Sequence, residues 1–161
     1  MCPQIKSISC CFTEHRPEKL KAGEEEIKSA LSKEIRLAVM SGIRNFHAGM
    51  ARGVDLWAAE IVLELKKDFP QLRLICAIPY RDFEKKWTPR WQKLYHSVLS
   101  QADEIHYFYS YFNYRSFQER NCWMADHSGM LIAVYNGEKG GTRNTLAYAK
   151  KQGLKIRMIL G

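Results

Sequence analysis

Six short apolar runs alternating with stretches of helical period are what most narrow the folds open to this chain. The runs are Ile5 to Phe12, Asn45 to Ala48, Leu72 to Ile78, Glu104 to Phe108, Met130 to Tyr135 and Lys155 to Leu160. Between them lie five helical patterns. The first, Gly23 to Ser41, repeats Ile27, Leu31, Ile35 and Ala38; the second carries Val54, Ala58, Ile61, Val62 and Leu65 on one face; the third is outlined by Trp87, Trp91, Leu94, Val98 and Leu99. The fourth spans Phe117 to Asp126, and the fifth begins at Gly140-Gly141-Thr142. Strand and helix in strict alternation predict parallel strands joined by crossover helices, hence an α/β, Rossmann-like three-layer sandwich with a mainly parallel sheet of about six strands. A nucleotide-type strand order of 3-2-1-4-5-6 would set the first and fourth strands side by side at the switch point, where ligands of open α/β sheets bind.

Such a sheet delivers its functional loops at one edge, so the residues after each strand matter most. After the fifth strand, Asn136-Gly137 gives way to Gly140-Gly141-Thr142 at a helix start. Glycines there let backbone N–H groups approach an anion, the free amides of the first turn carry partial positive charge, and Thr142 offers a hydroxyl or a cap. The first strand delivers Thr13, Glu14, His15 and Arg16, and the second delivers Gly49, Met50, Ala51, Arg52, Gly53, Val54 and Asp55. Arg16 and Arg52 are candidates for a phosphate, His15 for a phosphate contact or an acid, and Asp55 and Asn144 for a sugar hydroxyl, with Asp55 equally suited to capping its helix. Neither G-x-G-x-x-G after the first strand nor G-x-x-x-x-G-K-[ST] is present, which argues against a standard dinucleotide dehydrogenase and a P-loop NTPase.

Composition adds exclusions. Five cysteines form no C-x-x-C or His-Cys cluster, so buried reduced thiols and a cytosolic location are expected. No apolar run approaches the roughly 20 residues of a membrane span, and no group of residues has metal-ligand spacing; neither a metal nor a cofactor is expected. The formal charge of +8 suits an anionic partner, but it is dispersed along the helices. The stretch 107–117, with seven aromatic residues, reads either as packing or a subunit contact in a homo-oligomer, or as a stacking wall for a base.

Four segments together resemble a known family: Thr13-Glu-His-Arg-Pro-Glu-Lys-Leu20, His47-Ala-Gly-Met-Ala-Arg-Gly-Val-Asp-Leu-Trp-Ala-Ala-Glu60, Phe117-Gln-Glu-Arg-Asn-Cys-Trp-Met-Ala-Asp126 and Gly140-Gly-Thr142. The order and content are similar to the YpsA-type family of the SLOG superfamily, which joins the DNA-processing Smf/DprA proteins with the LOG nucleotide phosphoribohydrolases. The resemblance implies one SLOG-like nucleotide-binding domain over residues 1–161 and a site for a nucleoside phosphate or an ADP-ribose-like ligand. It adds Arg120 and Asn121 to the site, at the place of the phosphoribohydrolases' Arg-Lys pair.

Two departures bear on catalysis. The glutamate that those hydrolases carry three residues after the Thr of their glycine loop is Thr145 here, and a residue that is usually Gly between Thr and His of the first loop is Glu14. The principal expectation is therefore binding or sensing of a nucleotide-like small molecule in the cytosol, with no membrane partner. The alternatives are N-glycosidic hydrolysis using Arg120 with Glu60 or Glu14, and single-stranded nucleic-acid binding of the DprA kind.

Overall fold

In the computed structural model, which describes residues 2–161, the strands are β1 (Ser9–Glu14), β2 (Asn45–Ala48), β3 (Arg73–Tyr80), β4 (Glu104–Tyr109), β5 (Met130–Tyr135) and β6 (Lys155–Leu160). All five pairings are parallel, and the order across the sheet is β4-β3-β2-β1-β5-β6. The helices are α1 (Pro3–Ser7), α2 (Glu24–Met40), α3 (Val54–Lys66), α4 (Pro89–Ser100), α5 (Arg115–Asp126) and α6 (Gly141–Lys151), with a single 3-10 turn at Pro17–Lys19.

The expected strand order is corrected in one respect: β4 extends the sheet beyond β3, and β1 is flanked by β2 and β5. The helices show why. α2, α3 and α4 pack side by side on one face, so each crossover from β1 to β4 steps outward in the same direction. α5 and α6 lie on the opposite face, and α5 carries the chain back across the sheet to β5. The switch point consequently falls between β1 and β5.

A second correction concerns the amino terminus. Pro3 to Ser7 form a short helix, with Pro3 in its first turn where the missing N–H is harmless, and β1 begins only at Ser9, where pairing with Asn45 starts. Ser9 Oγ donates to the Ile5 carbonyl at 2.7 Å, which joins helix and strand.

Burial follows sheet position. β1, β2 and β5 are buried along almost their whole length, as central parallel strands covered on both faces must be. The edge strands β4 and β6 are partly exposed, and Lys155 and Arg157 place charge on the β6 edge. α2 buries the four residues that its sequence pattern picks out, whereas α3, wedged between α2 and α4, buries Val54 through Ala59 without interruption. One core cluster fills the α2–α3–α4 face and a smaller one, around Met124, Leu131 and Leu146, fills the α5–α6 face.

All five cysteines are free thiols; Cys10, Cys11 and Cys76 are buried, and burial pushes Cys11 and Cys76 up to about 12. No helix among the described residues is long and apolar enough to cross a membrane.

Candidate functional site

The carboxyl ends of the strands open into a cleft of about 750 Å³, within the range of small-molecule sites. Its walls come from the loops after β1, β2, β3, β4 and β5 and from α5, so residues scattered over 130 positions of sequence meet at one edge of the sheet.

At its base is a buried charged cluster. Arg120, on α5, is 6% exposed; its Nη1 donates to the carbonyl of Gly49, and its Nε donates to Asn121 Oδ1 at 2.9 Å. Asp55, in the first turn of α3, is 3% exposed, and its Oδ2 accepts the Ala51 N–H at 3.1 Å. Gly49 lies between them. A Cβ there would stand 2.6 Å from Arg120 Nη1 and 2.7 Å from Asp55 Oδ2, so only glycine lets both side chains close over this loop. Gly53 is held differently: its φ is +91°, and a Cβ would meet the Pro17 ring at 2.6 Å.

Glu14 completes the cluster. It is half-buried and lines the cleft, with its carboxyl hydrogen-bonded to that of Asp55. Burial raises the Glu14 carboxyl well above the usual range and the neighbouring Asp55 raises it further, against the opposing pull of Arg120. Asp55 is also raised by burial, and Arg120 and the Ala51 amide oppose this. Two carboxyls in contact cannot both ionise freely, so the pair holds a proton more readily than either group alone. Asp55 Oδ1 is buried and has no other hydrogen-bond partner. Arg120 offsets the negative charge of the carboxyl pair.

On the β5 side, α6 starts at the cleft, with Gly140 preceding its first turn and no side chain capping it, so the amides of Gly141 and Thr142 are unclaimed by a side chain there. Thr142, considered as a cap, instead lies within the first turn. His15 stands beside this helix start, 5% exposed and stacked on Tyr135 at 5.3 Å between ring centroids. Burial lowers its pKa, so the ring is neutral near pH 7, and its Nε2 has no partner. Arg16 and Lys19 line the same side, and Arg52 reaches the cleft while paired to Glu18 at 2.8 Å.

The opposite wall is aromatic. Tyr80 at the end of β3 is met edge-on by Phe112 and Phe117, with centroids 5.5 and 6.1 Å away, and Phe83 continues the wall to Trp87. Within the aromatic stretch, Phe112 and Phe117 pack together and also face the cleft, whereas Tyr111 is 74% exposed and does not line it. Trp87, read as a packing residue, packs on Tyr95 and also borders the cleft.

Of the residues singled out in the sequence, Thr13, His15, Arg16, Ala51, Arg52, Asp55, Arg120, Asn121, Gly140, Gly141 and Thr142 line the cleft. Met50 does not: with φ 64° it sits in the left-handed region uncommon for a non-glycine residue, and its side chain is in the core. Gly49 and Gly53 shape the loop from behind. Asn144 is exposed on α6, one turn past the helix start, and Glu60 is exposed on α3; the structure brings neither to the cleft. The sequence reading missed Tyr80, Phe83 and Lys19, and took Glu14 as a departure from pattern and as an alternative acid or base, not as a partner of Asp55. Its position between Thr13 and His15, both chosen, was the available signal. No three or more His, Cys, Asp or Glu side chains among the described residues are grouped to hold a metal ion.

Comparison with known proteins agrees with this architecture. The YpsA family model, described as the YspA SLOG family, matches residues 10–159. A SPbeta prophage-derived protein, YoqJ, of Bacillus subtilis (strain 168) is 37% identical over 118 residues, covering 66% of this chain and 69% of its own. A UPF0398 protein of Bacillus cereus (strain B4264) is 33% identical over 134 residues, covering 81% of this chain and 73% of its own. Among solved structures, DNA processing protein A from Helicobacter pylori, described for its single-stranded DNA binding mode, superposes with a TM-score of 0.68 at 18% identity, covering 98% of this chain and 68% of that one.

Proposed function

The chain belongs to the YpsA family of SLOG proteins, and on that premise we propose that the cleft binds a nucleotide or nucleotide-derived ligand, a nucleoside phosphate or an ADP-ribose-like molecule. The observation that carries this reading is the uncapped start of α6 at Gly140–Thr142, which opens into the same cleft as the aromatic wall of Tyr80, Phe112 and Phe117. A helix start offers directed N–H groups and partial positive charge to a phosphate, and aromatic faces offer a base a stacking surface.

Binding is favoured over N-glycosidic hydrolysis by the state of two residues. Thr145 stands where the phosphoribohydrolases carry glutamate, and its hydroxyl is spent on the Gly141 carbonyl at 3.0 Å; Glu60 is directed to solvent. Single-stranded DNA binding is a second reading, supported by the likeness to DNA processing protein A and by the aromatic wall. It is the weaker one, because an 18% identical neighbour speaks for the fold alone and the charge of +8 is dispersed.

Thermal-shift measurement against nucleoside mono- and diphosphates, ADP-ribose, free nucleosides and inorganic phosphate tests the proposal. Stabilisation by phosphate-bearing nucleosides, exceeding that by nucleoside or phosphate alone and lost in Gly141→Asp, is the expected result. A melting temperature unmoved by any of them at millimolar concentration would overturn it.

A further inference from the structure

The lining of the cleft changes character in a fixed order along the sheet edge. Beyond β4 and β3 it is aromatic, with Tyr80, Phe112 and Phe117; beyond β2 and β1 it is carboxylic, with Asp55 and Glu14; beyond β1 and β5 it is the start of α6 with His15. The oxygens of that carboxylic floor, chiefly acceptors, match a phosphate's acceptor oxygens poorly, and they offer no ring face to a base. What two carboxyls recognise well is a pair of hydroxyl donors.

We propose that the Glu14–Asp55 carboxyl pair is the receptor for the 2′ and 3′ hydroxyls of a ribose, so that the site takes ribonucleotides in preference to 2′-deoxyribonucleotides. This rests on the nucleotide reading above and deepens it. Asp55 is the inner member: nearly inaccessible, held by the Ala51 amide, and covered by Glu14. Glu14 is the outer member, partly accessible and facing the cleft. Glu14 faces the cleft beside Asp55, and Arg120 offsets the charge of the pair, so its oxygens can accept from a hydroxyl close to a phosphate. The base then reaches the Tyr80–Phe112–Phe117 wall on one side and the phosphate reaches Gly141 and Thr142 on the other, so the order of the three surfaces matches the order of base, sugar and phosphate. A site built to hydrogen-bond a substrate hydroxyl discriminates against the analogue that lacks it, because the site's own polar group is left unpaired.

The test is isothermal titration of the four common ribonucleoside 5′-monophosphates and their 2′-deoxy counterparts, with wild-type protein, Glu14→Ala and Glu14→Gln. Each ribonucleotide that binds is expected to do so about tenfold or more tightly than its deoxy partner. In Glu14→Ala both affinities are expected to fall, the ribonucleotide's the more, so that the ratio drops to about twofold or less. In Glu14→Gln it is expected to persist, since glutamine still offers a carbonyl oxygen to the ligand and an amide to Asp55. Equal binding of each pair by wild type would overturn this inference alone and leave the nucleotide reading intact. Tighter binding of the deoxy forms, with binding of an oligodeoxynucleotide, would overturn it in favour of DNA. Absence of binding by all eight would overturn this inference, and the nucleotide reading falls with it if nucleoside diphosphates and ADP-ribose also fail to bind. A ratio unchanged in folded Glu14→Ala would remove Glu14 from the receptor; should that variant not fold, the wild-type ratio and its retention in Glu14→Gln decide.

Discussion

Arg120 and Gly49 hold each other in place at the carboxyl edge of the sheet: the guanidinium of α5 donates to the carbonyl of the loop after β2, and the missing side chain of Gly49 is what admits it. The first prediction follows directly. Gly49→Ala is expected to lower stability by about 1–3 kcal/mol, because the new methyl overlaps Arg120 and Asp55 and neither can withdraw without leaving a buried charge poorly paired. For a chain of this size that is a fall in melting temperature of roughly 2–12 °C. Urea denaturation monitored by tryptophan fluorescence measures it, and an unchanged midpoint would contradict the clash.

Glu14 makes the protein sensitive to base. Its folded pKa is raised above the ordinary value of 4.5, so the folded state holds a proton that the unfolded state has released. The stabilisation is complete below pH 4.5 and is lost as pH rises through the folded value. Stability of Glu14→Gln, whose side chain cannot ionise, should therefore fall less between pH 5 and 9 than that of wild type. Paired urea titrations across this range check it; parallel curves would show that Glu14 is already ionised.

His47 gives the opposite slope. Burial beside His127 lowers its pKa to about 4, so between pH 6.5 and 4 the unfolded chain gains a proton that the folded one refuses. Stability falls as the solution is acidified, by up to about 3 kcal/mol once both values are passed. His47→Gln should flatten that acid limb relative to wild type, read as the change in urea midpoint between pH 7 and pH 4.5.

The aromatic wall is expected to separate affinity from stability. Phe112 is 50% exposed, so Phe112→Ala should leave the melting temperature nearly unchanged while weakening a nucleotide by about five- to thirtyfold, as the loss of one stacking face does. Binding of inorganic phosphate should be unaffected. Calorimetric titration of both ligands gives the comparison.

Arg52 provides a complementary case. Its pair with Glu18 is exposed, and Arg52→Ala should shift stability by no more than about 1 kcal/mol. Nucleotide affinity should fall with it, and the loss should shrink as salt rises, because a partly exposed guanidinium acts on a phosphate through a screened interaction. Titrations at two salt concentrations decide whether Arg52 faces the ligand or serves only Glu18.

The sequence disclosed the alternating elements well, because buried parallel strands and amphipathic helices leave simple apolar periods, as in Met130–Tyr135 and in the stripe from Ile27 to Ala38. Strand order was out of its reach: whether β4 steps outward from β3 or crosses to β1 depends on which face α4 packs against, and its apolar stripe is the same in either place. Loop residues adjoining strand ends were found because topology alone sends them to one edge. Tyr80 and Phe83 were not, since a strand-end tyrosine looks the same in sequence whether it faces a cleft or the core. Glu14 was visible as an exception and as a spare acid or base, but its pairing came from Asp55, 41 positions away, a distance no local pattern spans.

The buried thiols of β1 and β3 turn the protein into its own clock. Cys10, Cys11 and Cys76 sit at the middle of the sheet, while Cys2 is at the surface and Cys122 partly so. A thiol reagent added to the native protein should be consumed at once by Cys2, more slowly by Cys122, and by the remaining three only as often as the sheet itself comes apart. The late phase of that reaction reports how frequently the innermost strands open, with no label attached, and any compound that occupies the cleft above them should lengthen it.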